Sequence, residues 1–132
     1  MNTKKILGIV LTGFALCAVP VMAHHSFAAQ YDAAKPISLQ GAVTKVEWMN
    51  PHARFYIDVK DESGKVTNWG MEMGSPNGLM RQGWSRNSMK IGDEVTVEGS
   101  RAKDGSNIGN ARSVTLTGGQ KLFAGSSQTT TP

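Results

Sequence analysis

The chain has 132 residues, 14 Lys and Arg against 10 Asp and Glu, and a formal net charge of +4 at pH 7. That length supports one domain around a single hydrophobic core, and the basic residues are spread among acids, with no run long enough for a nucleic-acid or anionic-lipid surface. One cysteine, Cys17, excludes an intrachain disulfide, and no internal repeat divides the chain.

Residues 1–23 read as a cleavable secretory signal. Lys4 and Lys5 give the positive start, Ile6 to Val19 an apolar run, and Val21-Met22-Ala23 the small-residue pattern that a signal peptidase cuts after. The run is shorter than the ~20 residues a spanning helix needs, and Pro20 breaks it, so a retained membrane anchor is the lesser reading. Leu16 stands where a lipid-attachment signal wants a small residue, which disfavours a lipoprotein built on Cys17. Cleavage after Ala23 removes that cysteine, and thiolate metal sites and cysteine nucleophiles go with it. It also halves the formal charge of +4, because two lysines and no acids leave. The mature chain expected from this signal starts at His24, in the periplasm, with no membrane span.

Residues 24–36 form an N-terminal segment without clear periodicity, although Phe27 and Tyr31 have the spacing of one helix face. From Ile37 the pattern turns strand-like. Ile37, Leu39, Gly41 and Val43 alternate, and then the apolar phase slips by one residue to Val46 and Trp48. A slip beside a glycine is the signature of a β-bulge in a long, bent first strand. Asn50-Pro51-His52 reads as a turn. Phe55, Ile57 and Val59 alternate with Arg54, Tyr56, Asp58 and Lys60, which predicts a half-buried second strand. After the turn Asp61-Glu62-Ser63-Gly64, Val66 to Met73 forms a third, with Trp69, Met71 and Met73 on one face.

Ser75-Pro76 starts a short helix, because Ser caps free amides and Pro fits the first turn, and Gly83 is a natural stop. Gly92-Asp93 leads into a fourth strand over Glu94 to Ala102, with Val95 and Val97 pointing one way. Lys103 to Asn107 is a hairpin loop, Arg112 to Leu116 a fifth strand, and Lys121 to Ala124 a short edge. Residues 125–132 have the Ser, Gln and Thr composition of a disordered tail. An all-β domain over 37–124, with five strands and a short helix between the third and fourth, matches a five-stranded OB-fold-like Greek-key barrel. A β-sandwich is the competing architecture, and the helix after strand three favours the barrel.

Three stretches carry a resemblance to a known family: His24-His25-Ser26-Phe27, Trp48 to Tyr56 around Asn50-Pro51-His52, and Glu72-Met73-Gly74-Ser75-Pro76-Asn77 followed by Gly83-Trp84. Arg101 to Ser106 and Lys121 to Gly125 extend it over nearly the whole mature chain. The sequence resembles small secreted bacterial proteins grouped as a domain of unknown function, family 6152. The resemblance implies an exported, periplasmic, OB-like protein, and it brings no established activity.

The histidines His24, His25 and His52 offer metal chemistry. A terminal amine titrates near ~8 and an imidazole near ~6.5, so both present unprotonated nitrogens around neutral pH. A mature N-terminal His24 can chelate through amine and ring, and the ring of His52 would complete a nitrogen-rich set suited to copper(II) before nickel(II), with zinc a weaker fit. His25 is the secondary ring donor. The plainer reading is a solvated terminus and a turn histidine. Met71 and Met73 share a strand face and could hold copper(I), but alternating methionines are usually core filler.

A different reading is a binding module without metal. OB barrels bind extended ligands across strands two and three, and Arg54 and Tyr56 lie on the outward face of strand two, where they could engage a glycan, a peptide or a small anion. Trp48, Trp69 and Trp84 read as packing residues. Nucleic acid is not expected as a partner after export. Catalysis has the least support: the acids sit in turns or on polar faces, no motif makes Ser26 or Ser75 a nucleophile, and no phosphate loop is present. The sequence therefore predicts an exported periplasmic binding or accessory protein, not an enzyme, with copper as the candidate cofactor and a periplasmic protein or small ligand as the candidate partner.

Overall fold

In the computed structural model, which describes residues 27–125, the strand alternation of the sequence becomes a sheet closed on itself. The elements run α1 (Phe27–Gln30), β1 (Tyr31–Glu47), β2 (Arg54–Lys60), β3 (Val66–Glu72), α2 (Pro76–Arg81), β4 (Glu94–Ala102), β5 (Ile108–Thr115) and β6 (Lys121–Phe123). Neighbouring strands follow the order β3-β2-β1-β4-β5-β6, and a parallel pairing of Gly70, Met71 and Glu72 with Ile108, Gly109 and Asn110 joins β3 to β5. Strands β1, β2, β3, β5 and β4 thus form a ring, with β6 paired to β5 outside it. A closed five-stranded ring with a helix between β3 and β4 is the OB plan that the order of elements predicts.

The ring closes because β1 is long enough to serve both halves. Tyr31 to Ala42 pair with β4, and Ala42 to Glu47 pair with β2. The expected bulge is present: the register with β2 shifts between Val43 and Lys45, leaving Thr44 as the extra residue that bends the strand. At two glycines the strands approach too closely for a side chain, one near this bend and one at a second register shift, between Glu98 and Gly99 in the β4–β5 pair. A Cβ on Gly41 would lie 2.3 Å from the carbonyl oxygen of Asp58, and one on Gly99 would lie 1.9 Å from that of Asn110.

Inward positions of every ring strand fill one core. Val43, Phe55, Ile57, Trp69, Met71, Val95, Val97, Ala111 and Val114 are all buried there, and burying a side chain such as Phe55 contributes about 1.5–3 kcal/mol. Met71 and Met73 are each 1% exposed within this cluster, which makes them filler and not surface ligands. The helix α2 forms as its sequence predicts. Ser75 accepts the amide of Gly78 at 3.2 Å, Pro76 occupies the first turn, and Gly83 takes a φ of 98° beyond the last one. Its Leu79 is buried in the core. Trp84 then donates its indole N–H to the Phe123 carbonyl at 2.9 Å, which ties β6 to the end of the helix.

Two strand starts differ from the sequence reading by four residues or more, and the ends of β3, β5 and β6 by one. Strand β1 begins at Tyr31 and not at Ile37, and β5 begins at Ile108 and not at Arg112. In the first case the pairing with β4 is interrupted between Asp32 and Pro36, so that stretch carries no alternation to read. In the second, Ile108 pairs with β3, Gly109 and Asn110 are held on one side by β3 and on the other by β4, and a stretch paired on both edges need not alternate.

Candidate functional site around Glu72

The site grows from one outward position at the end of β3. Alternation puts Trp69 and Met71 inside the barrel and Glu72 outside, yet Glu72 is only 8% exposed. Its cover comes from elsewhere in the chain. Tyr31, the first residue of β1, is itself 2% exposed and donates its hydroxyl proton to Glu72 Oε2 at 2.9 Å. Arg54 stands directly across the β2–β3 pair from Glu72, and its Nη2 donates to the same Oε2 at 3.3 Å. His52 lies just ahead of β2, where the neighbouring Ala53 is pinned by amide bonds to Gly74 and from Met73. Its Nδ1 sits 2.8 Å from the other oxygen, Oε1.

Burying an ionised carboxylate is costly unless it is paired and hydrogen-bonded. Here a phenol, a guanidinium and an imidazole meet that requirement, and among the described residues no buried side-chain polar atom lacks a partner. Burial foremost, and then the adjacent Glu72 carboxylate, pushes the Tyr31 phenol above the ordinary tyrosine range, while the charge of Arg54 opposes the shift. Tyr31 is therefore a protonated donor throughout the neutral range. Exposure grades outward across the group: the side chain of Glu72 retains 10%, that of His52 39% and that of Arg54 50%. The carboxylate is an inner anchor, and the histidine reaches the surface.

Of the residues singled out in the sequence, His52 and Arg54 meet on Glu72. Tyr56 shares the outer face of β2 with Arg54, but its ring lies over the backbone of Gly70, its cross-strand partner, so that a Cβ there would be 3.1 Å from the ring. Lys45 Nζ stands 5.3 Å from the same ring centroid. His24 and His25 lie outside the described residues. The nearest described residue to them in the chain is Phe27, whose ring packs 5.7 Å from that of Tyr31. Among the described residues no group of three or more His, Cys, Asp or Glu could hold a metal ion. Also among the described residues, no helix is long and apolar enough to cross a membrane.

Sequence reasoning missed Tyr31 and Glu72. No local signal marks Glu72, because an acid between the inward Met71 and Met73 is the ordinary outward position of an alternating strand.

By its fold the protein is a small OB-type barrel, and by its site a barrel that carries a buried carboxylate on its outer wall beneath an accessible histidine. The chain belongs to the Family of unknown function (DUF6152), whose model matches residues 13–112. Among solved structures it is similar to the dimeric N-terminal domain of PriB protein from Thermoanaerobacter tencongensis, at 19% identity and a TM-score of 0.43, covering 63% of this chain and 96% of that one. A comparison with curated proteins finds no match.

Proposed function

We propose that the protein is exported to the periplasm by a signal cleaved after Ala23, and that it works there as a small binding protein that holds copper(II) between its new N-terminus and His52. The observation that carries this reading is the run of contacts from Phe27 through Tyr31 and Glu72 to His52. An extended chain covers at most ~3.3–3.6 Å per residue, so the Cα of His24 starts within about 11 Å of that of Phe27. This short tether supports a reading in which the amine and ring of His24 reach the side of the barrel where His52 surfaces. Three nitrogen donors in a roughly planar set favour copper(II), and His25 is the reserve ring donor.

The function is binding without catalysis. A non-metal ligand or protein partner on the strand-two face is the alternative, and it would engage the guanidinium donors of Arg54 that Glu72 leaves free, together with the face of the Tyr56 ring turned away from Gly70. Calorimetric titration with copper(II) tests the metal reading on three proteins: the correctly processed chain, the same chain with His52→Ala, and a form with one extra residue before His24. The processed chain should bind one equivalent at least ten times more tightly than the other two. Equal and weak binding by all three would end the copper reading.

A further inference from the structure

The two oxygens of Glu72 have separate tasks. Oε2 accepts from Tyr31 at 2.9 Å and from Arg54 at 3.3 Å, and Oε1 faces His52 Nδ1 at 2.8 Å. Tyr31 is a buried, neutral donor on an anchored strand, and Arg54 is set opposite Glu72 by the β2–β3 register. Together they lock the carboxylate plane, so Oε1 is aimed and not merely available. His52 differs from the other two donors in meeting Oε1 and in carrying a second ring nitrogen that can accept or ligate. Its side chain stays 39% exposed, and its second ring nitrogen has no hydrogen-bond partner among the described residues.

An ionised carboxylate only accepts hydrogen bonds, so a 2.8 Å contact to Nδ1 requires the proton on that nitrogen. A neutral imidazole carries one N–H, and its lone pair must then sit on Nε2. A solvated ring samples both tautomers. We infer that Glu72 is a positioning residue for His52: it fixes the ring as the Nδ1–H tautomer and presents Nε2 as the nitrogen that ligates. The metal in this inference rests on the copper reading above, whereas the tautomer does not. A carboxylate behind a ligating histidine also raises the basicity of the ring and holds its orientation, and losing such a partner typically lowers metal affinity 10- to 100-fold. Tyr31 and Arg54 contribute indirectly by keeping Glu72 turned toward His52 and unable to swing out as a ligand itself.

The test uses processed protein and two readouts. Nitrogen-15 NMR of the His52 ring in metal-free protein should show a protonated Nδ1 and an unprotonated Nε2. In Glu72→Gln the amide can donate as well as accept, so the ring should lose that preference, and copper(II) affinity should fall about 10- to 100-fold. A neutral wild-type ring with its single proton on Nε2 overturns the inference without any variant, which guards against a Glu72→Gln protein that does not fold. An unchanged tautomer in Glu72→Gln, or an unchanged affinity despite an altered tautomer, overturns it as well. If wild-type protein shows the Nδ1–H tautomer but binds no copper, the metal reading falls and the control of His52 by Glu72 stands.

Discussion

Replacing Tyr31 by Phe removes a single hydroxyl and leaves in place the ring that packs against Phe27. The hydroxyl donates to the buried Glu72 carboxylate at 2.9 Å, and a hydrogen bond to a charged group contributes about 1.5–3 kcal/mol. In a domain of this size 1 kcal/mol shifts Tm by about 4–8 °C, so Y31F should melt roughly 6–24 °C below the wild type. The pH dependence supplies a second signature. Because burial and Glu72 raise the phenol's pKa in the folded protein, the stability it contributes is fully present below the unfolded-state value of ~10 and is lost as pH rises above it. At pH 11, ionisation in the unfolded chain alone removes about 1.4 kcal/mol from the wild type and nothing from Y31F, so the gap between them should narrow. Urea unfolding followed by tryptophan fluorescence at pH 7, 9 and 11 measures both effects. Stabilities equal to within about 0.5 kcal/mol at pH 7, or parallel pH profiles, would refute the placement of Tyr31 on a buried carboxylate.

The ring geometry makes sharper demands at single residues. Gly99→Ala would force a Cβ to within 1.9 Å of the Asn110 carbonyl oxygen, so it should cost about 3 kcal/mol or more in thermal melts. Gly118→Ala meets no atom within 4 Å and should stay within about 0.5 kcal/mol of wild type. Arg101 stacks over Trp69 at 5.0 Å and donates to the carbonyls of Gly105 at 2.6 Å and Ser106 at 3.2 Å. Arg101→Ala should therefore speed amide exchange in residues 103–107 and lower stability by about 1–3 kcal/mol, whereas unchanged exchange there would show that the loop does not depend on the guanidinium.

Features set by local chemistry were legible in the sequence. The slip from Val43 to Val46 marks the bulge at Thr44, and Ser75-Pro76 with Gly83 brackets α2, because bulges, caps and stops depend on residues a few positions apart. The alternation from Phe55 to Val59 likewise gives the inner face of β2. What eluded it depends on contacts between distant segments. Tyr31 covers Glu72 from 41 residues away, and no periodicity in β3 records that its outward carboxylate will be roofed over. For the same reason His52 could be proposed as a ligand from its type, while the partner that orients it could not. Arg54 and Tyr56 look alike as outward residues of one strand, but register sends one to Glu72 and lays the other over Gly70.

The proposal that a processed N-terminus and His52 share one copper ion is tested most directly by spin-resonance spectroscopy of the processed protein loaded with one equivalent of copper(II). The account predicts an axial spectrum with nitrogen hyperfine structure from three donors, one of which disappears in His52→Ala. A wild-type spectrum indistinguishable from that of His52→Ala would contradict it.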